Sequence, residues 1–398
     1  LSKLVFLIAD GMGDLPVEAL GGRTPMEAAA TPVMDAMAKE GMVGLCRTVP
    51  EGMAPGSDVA NMALLGFDPA TYHTGRGPIE AAAMGLSLGR DDVVFRLNTV
   101  TVSELSDTGL MRDYSAGHIA TEVSTKLVEA IGRECCPRDY VVHPGVQYRH
   151  LLVAKGAAGG AEARVAVRPP HDITDQGIAP DLEELRRAPA LWNFVQCAGK
   201  VLAGAENTSK ANAVWPWGQG RALSLPDFTD TFGLRGAVVS AVDLVKGLGR
   251  AAGMAVLDVP GATGLLETNY EGKVAAALDF LKTGDFVFVH VEAPDECGHA
   301  GDAASKTEAV ARFDARIVAP MRKALGNDAA FLIACDHPTP IAIRTHSADP
   351  VPFLFWKQGV TPSGAAAFSE REAAATGLAV APGHTLLPSA AGWANRKE

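Results

Sequence analysis

The sequence predicts an α/β fold, with a core built on a mainly parallel sheet and a smaller α+β domain inserted into it. Three observations carry this. Short apolar runs end at an acid or a histidine, as in "KLVFLIADGMGD", "GDFVFVHVEAPD" and "AAFLIACDHPTP". Helical patterns alternate with those runs, and near residue 92 the pattern changes to alternating strands broken by Gly- and Pro-rich stretches.

The first run, "KLVFLIA", is rich in Val, Leu and Ile, the signature of a strand buried on both faces that delivers Asp10 at its C-terminal end. "TPMEAAATPVMDAMAKEG" follows as a helical pattern. From residue 92, "DVVFRLNTVTVSEL", "YRHLLVAKG" and "ARVAVRPPHD" read as strands, and "TEVSTKLVEAIGRE" and "LEELRRAPALWNFVQCAGKVLAG" as helices. These define an inserted domain over residues 92–235, leaving 1–91 and 236–398 as the core. Late helices in "NYEGKVAAALDFLKTGD" and "KTEAVARFDARIVAPMRKALG" separate the strands that end at Asp295 and at Asp336–His337, and "PVPFLFW" follows His346 and Asp349 as a further core strand.

The 398 residues suffice for a sizeable core, and 47% hydrophobic with 20% charged is a globular balance. Apolar runs such as "FVFVHV" are far shorter than the roughly 20 residues of a membrane span, and the opening residues lack the pattern of a secretory signal, so a cytoplasmic protein is expected. The six cysteines show no paired zinc spacing and are expected to be reduced, mostly buried thiols without disulfides. A net charge of −11 argues against a broad nucleic-acid surface and leaves a small molecule as the expected partner.

In parallel sheets, ligand chemistry sits beyond the carboxyl ends of the strands, so the terminal acids and histidines are expected to face one site. Asp10, Asp336 and His337 form one set, and Asp295, His299 and His346 another. Carboxylate oxygen with imidazole nitrogen suits divalent ions, and two sets at one sheet edge suggest two of them. "PGSDVANMALLGFDP" adds Ser57 at the start of a helical pattern, where a serine is ordinarily a cap. Beside divalent ions its hydroxyl loses a proton more readily, and the helix N-terminus favours a phosphate there. Asn61, one turn on, could donate to that phosphate.

Together "ADGMGD", "PGSDVANMALLGFDP", "GRGPIEAAAMGL", "APDECGHAGD", "CDHPTP" and "THSADPVPF" resemble, in order and along nearly the whole chain, the archaeal-type cofactor-independent phosphoglycerate mutases of the alkaline phosphatase superfamily. The resemblance implies an alkaline phosphatase-like core holding two divalent ions, Mn foremost with Zn, Mg or Co as alternatives. It assigns Asp10, Ser57, Asp336 and His337 to one ion and Asp295, His299 and His346 to the other. It further implies a phosphoserine at Ser57, interconversion of 3- and 2-phosphoglycerate, and an inserted domain that closes over the phosphorylated substrate. His118, Arg149 and His171 resemble stretches near the family's substrate pocket, and Arg76 and Lys246 are further anion-binding candidates.

Three positions depart from that pattern. The compared mutases usually carry lysine at the place of Glu292, arginine at that of Trp217 and arginine at that of His118. "VEAPDECGH" and "VWPWG" also resemble a branch proposed to act as a homoserine kinase, in which Glu292 would suit an amino group. That kinase is the alternative expectation, although the chain has no Walker-type phosphate loop.

Overall fold

The computed structural model describes residues 3–204 and 206–395. They form two compact units, one of residues up to 73 together with 224 onward, the other of residues 74–223.

The first unit is built on an eight-stranded sheet. Its strands are β1 Lys3–Ala9, β2 Met42–Cys46, β3 Gly236–Val239, β4 Ala255–Val256, β5 Phe286–Val291, β6 Ala329–Ala334, β7 Val351–Trp356 and β8 Ala379–Val380. They lie in the order β8-β2-β7-β6-β1-β5-β3-β4. β1 pairs in parallel with both β5 and β6, so Asp10, Asp295 and Asp336 all follow the C-terminal ends of three adjacent strands. β7 is antiparallel to β6 and to β2. Its N-terminal end therefore shares the edge at which its neighbours finish, which is how His346, preceding its strand, reaches residues that follow theirs. β1, β5, β6 and β7 are almost wholly buried, as expected of apolar strands covered on both faces.

The second unit carries a five-stranded sheet in which Val93–Val102 pairs antiparallel with Arg149–Ala154 on one side and Ala213–Arg221 on the other. Pro216 lies in Ala213–Arg221, a strand whose only described partner is Val93–Val102, and an edge position tolerates its missing N–H. Helices Thr121–Cys135 and Pro189–Leu202 pack into the same core, which Leu127, Ile131, Phe194 and Trp215 help to fill.

The units divide at 73/74 and 223/224, where the sequence suggested 91/92 and 235/236. Helix Arg76–Ala83 packs on Val93–Val102 and Ala213–Arg221, which draws it into the second unit. The single long helix expected over "LEELRRAPALWNFVQC" is two, Ala179–Arg186 and Pro189–Leu202, because Pro189 starts the second and disfavours helical geometry at Ala188.

The expectation of no disulfide is corrected. Cys135 and Cys197 are joined, with Cα atoms 5.5 Å apart, because two helices distant in sequence pack side by side. Cys46, Cys297 and Cys335 are buried free thiols, and Cys136 is half-buried and free. Among the described residues no helix is long and apolar enough to cross a membrane.

Candidate active site

Ser57 opens helix Ser57–Leu64, but it is the first helical residue and Gly56 is the cap, so the side chain makes no capping hydrogen bond. Its Oγ lies 3.0 Å from His337 Nε2. His337 follows Asp336 at the end of β6, and both are fully buried. Asp336 Oδ1 accepts from the backbone N–H groups of Gly11, at 3.0 Å, and of His337, at 2.9 Å. Its Oδ2 accepts from Asn61 Nδ2 at 2.8 Å. Asn61, a candidate donor to a phosphate, here donates to a carboxylate.

Asp10 is the most exceptional group. It is 1% exposed, and neither carboxylate oxygen has an aligned hydrogen-bond donor. His290 Nε2 comes within 3.0 Å of Oδ2, near enough for an ion pair, yet the alignment is not that of a hydrogen bond. Burial pushes the Asp10 carboxyl well above its ordinary pKa, and the charges of Asp336, Asp295 and Glu292 push it further. Burial acts the same way on Asp336, but His337 and His290 reverse it and carry that pKa below the ordinary value.

Asp295, in the first turn of helix Ala293–Ala300, stands beside the second set. Its Oδ2 is 3.2 Å from His299 Nε2, and its Oδ1 is 3.5 Å from His346 Nε2. Burial opposes its charge, yet the hydrogen bonds of His299 and His346 hold its pKa well below the usual range. The i, i+4 spacing of Asp295 and His299 on one helix supplies half of this set, and the start of β7 the other half. Thr339 Oγ1 donates to Asp295 Oδ1. His299 Nδ1 is 3.0 Å from the Arg344 carbonyl, which fixes a proton on Nδ1 and makes Nε2 the nitrogen that a cation would take in exchange for its proton. That Nε2 is 3.0 Å from His346 Nε2.

The donor set fits divalent cations. Ligand atoms of Asp10, Asp336 and His337 lie within 4.8 Å of one another, as do those of Asp295, His337 and His346. Buried carboxylate oxygens without donors, and two imidazole nitrogens facing each other, are what a shared cation would satisfy. The first cluster has the residues of the first sequence set, whereas the second holds His337, not His299, beside Asp295 and His346.

The remaining candidates fall in two places. Glu292 caps the same helix as Asp295, and its carboxylate joins Asp10 and Asp295 in a third cluster of the same size. Burial, with Glu296 and Asp295 beside it, raises its pKa to about 8. Lys246 Nζ is 3.1 Å from Asp258 Oδ1. Arg76, His118, Arg149 and His171 belong to the second unit. There the Arg149 guanidinium lies over Tyr148 at 5.4 Å and the His118 ring is 6.4 Å from the same tyrosine. His171 is 5.3 Å from Trp217 and 6.1 Å from Tyr114.

Sequence reading missed several buried charged and polar groups. Arg96 lies over Trp217 at 4.4 Å with its Nε 2.9 Å from Glu80, and burial lowers its pKa against the pull of Glu80 and with the push of Arg76 and Arg149. A single charge inside "VVFRLN" was the available signal, as was the lone histidine, His290, inside "FVFVHV". Lys273, fully buried and donating to the His290 carbonyl at 2.8 Å, gave none, since its helix reads as an ordinary solvated one.

Buried carboxylates, imidazoles and one serine hydroxyl converging at a parallel sheet edge define a class of enzyme that transfers groups between oxygens. A family model described as 2,3-bisphosphoglycerate-independent phosphoglycerate mutase matches residues 38–207. The chain is 47% identical to the protein of that name from Methanothrix thermoacetophila, over 97% of this chain and 98% of the relative. It is 46% identical to the one from Methanosarcina barkeri, over 94% and 95%. A solved structure of a Pyrococcus horikoshii protein superposes with a TM-score of 0.83 at 31% identity, covering 100% of this chain and 98% of that one. The cofactor-independent phosphoglycerate mutase of Thermoplasma acidophilum gives 0.66 at 26%, covering 99% and 100%. The chain belongs to the 2,3-bisphosphoglycerate-independent phosphoglycerate mutase family. These relatives' names support the mutase reading and not the homoserine kinase alternative.

Proposed function

We propose that this protein interconverts 3-phosphoglycerate and 2-phosphoglycerate without a bisphosphoglycerate cofactor, through a phosphoserine at Ser57. The observation that carries it is the Ser57 hydroxyl, free of any capping bond and held 3.0 Å from His337 Nε2 among the candidate ligands.

Asp10, Ser57, Asp336 and His337 would hold one divalent ion and Asp295, His299 and His346 another, with Mn the first choice. When bound, such ions acidify the serine hydroxyl and neutralise charge on the phosphoryl oxygens. Ser57 Oγ forms the bond to phosphorus as the bond to the substrate oxygen breaks, leaving phosphoserine and glycerate. The N-terminus of helix Ser57–Leu64 favours the phosphate's charge. The other glycerate hydroxyl then takes the phosphoryl group back and restores Ser57. Water reaching the phosphoserine first would turn the reaction into hydrolysis.

Arg76, His118, Arg149 and His171, with Arg96, supply cationic and hydrogen-bonding groups suited to an anionic substrate, and Lys246 and Glu292 are the candidates on the first unit. A cytoplasmic location fits a small phosphorylated substrate. Acid quenching of metal-loaded protein with 3-phosphoglycerate tests the intermediate. Phosphate mass on the peptide bearing Ser57 supports it, and single-turnover quenches that yield 2-phosphoglycerate without any labelled serine would contradict it.

A further inference from the structure

Lys306 has no exposed surface, an unusual position for an ammonium group. All three of its donors are used: Nζ reaches Gly13 O at 3.0 Å, Asp14 Oδ2 at 2.8 Å and Thr339 O at 2.9 Å. Gly13 and Asp14 belong to the turn that follows Asp10. Thr339 belongs to the turn that follows Asp336 and His337. Lys306 itself lies in helix Ala303–Phe313, which begins just after His299 through the Gly301 turn and the Asp302 cap. One ammonium therefore ties together three of the segments that carry candidate ligands.

Its partner Asp14 extends the tie. The Asp14 carboxylate also accepts from Leu15 N at 2.8 Å and from Ile341 N at 3.2 Å, so it clasps both turns. Thr339 is held at both ends, its carbonyl by Lys306 and its hydroxyl on Asp295 Oδ1. A movement of Thr339 toward or away from Lys306 moves a hydrogen bond on Asp295.

We propose that Lys306, acting with Asp14, is a positioning residue for the metal centre, an inference that rests on the reading of the preceding section. The pair fixes the spacing of the Asp10 turn against the Asp336–His337 turn and orients Asp295 through Thr339. A buried ion pair that served only stability would be replaceable by apolar side chains of similar volume. A pair that sets ligand geometry would not be.

The test titrates Mn2+ into metal-free protein by calorimetry and follows urea unfolding of the same samples. Wild type is compared with Lys306→Met and with the double variant Lys306→Met/Asp14→Leu, which removes the unpaired carboxylate that could unfold the single variant. Affinity is expected to fall by roughly 10- to 100-fold in both, the range for lost outer partners of metal ligands, while the double variant regains the midpoint of wild type. Wild-type affinity in either variant, or affinity that returns together with stability in the double variant, overturns the proposal and leaves the metal reading standing. If wild type itself takes up no Mn2+, the metal reading falls and this inference falls with it.

Discussion

Ser57 Oγ and His337 Nε2 lie 3.0 Å apart although 280 positions separate them in the chain. The serine makes no capping bond, because Gly56 is the N-cap, so its hydroxyl is not needed by the helix. Ser57→Ala is therefore expected to leave the stability of the metal-free protein within about 0.5 kcal/mol of wild type while abolishing phosphate incorporation. Urea unfolding and mass spectrometry on one preparation check both halves.

Metal uptake should release protons. The Asp295 hydrogen bond, working against burial, raises His299 to about 9, and burial raises Glu292 to about 8, so at pH 7.5 both are mostly protonated in the metal-free protein. A ligating imidazole must be neutral. Calorimetric titration of Mn2+ in buffers of different ionisation enthalpy is expected to report proton release, and His299→Ala to reduce it.

The same two shifts set the pH dependence of the metal-free fold. Both folded-state values lie above the unfolded ones, so the folded protein binds the extra proton and each contribution is lost as pH rises. For Glu292 the loss runs from its ordinary 4.5 to about 8, and for His299 from 6.5 to about 9. Metal-free protein should melt at a lower temperature at pH 9 than at pH 6.5, and Glu292→Gln should lessen the difference.

Gly11 has φ +61°, and an added Cβ would lie 2.5 Å from Thr339 Oγ1 and 2.7 Å from the Asp295 Cα. Gly11→Ala is expected to destabilise by at least about 2 kcal/mol through backbone strain and the close approach, and to weaken Mn2+ binding. Thermal melts with and without Mn2+ measure both effects.

Arg96, stacked on Trp217, stands in the cationic and aromatic set of the second unit. On the proposed reading that Arg96 serves the substrate anion, Arg96→Met is expected to raise KM for 3-phosphoglycerate by roughly tenfold or more and to leave Mn2+ affinity unchanged, a charged hydrogen bond being worth about 1.5–3 kcal/mol. Steady-state kinetics beside metal titration separates the two.

The strand-end residues were legible in the sequence because a buried strand advertises itself by its apolar run and a polar residue at its end stands out. Asp10, Asp295 and Asp336 were found this way. His346 precedes its strand, and only the antiparallel setting of β7 makes that equivalent to following one. Lys306 and Lys273 were invisible, because a lysine in a helical pattern reads as solvated and only packing buries it. The Cys135–Cys197 disulfide was illegible for a similar reason, since it depends on how two helices lie together rather than on spacing. Helix limits failed where proline interrupted an otherwise continuous pattern, at Pro189.

The most direct measurement supplies Mn-loaded protein with 3-phosphoglycerate, omits bisphosphoglycerate, and follows 2-phosphoglycerate through enolase, with Ser57→Ala in parallel. The expected result is steady turnover by the wild type, lowered by roughly a thousandfold or more in the variant. No 2-phosphoglycerate from wild-type protein that binds Mn2+ and unfolds cooperatively would contradict the mutase assignment.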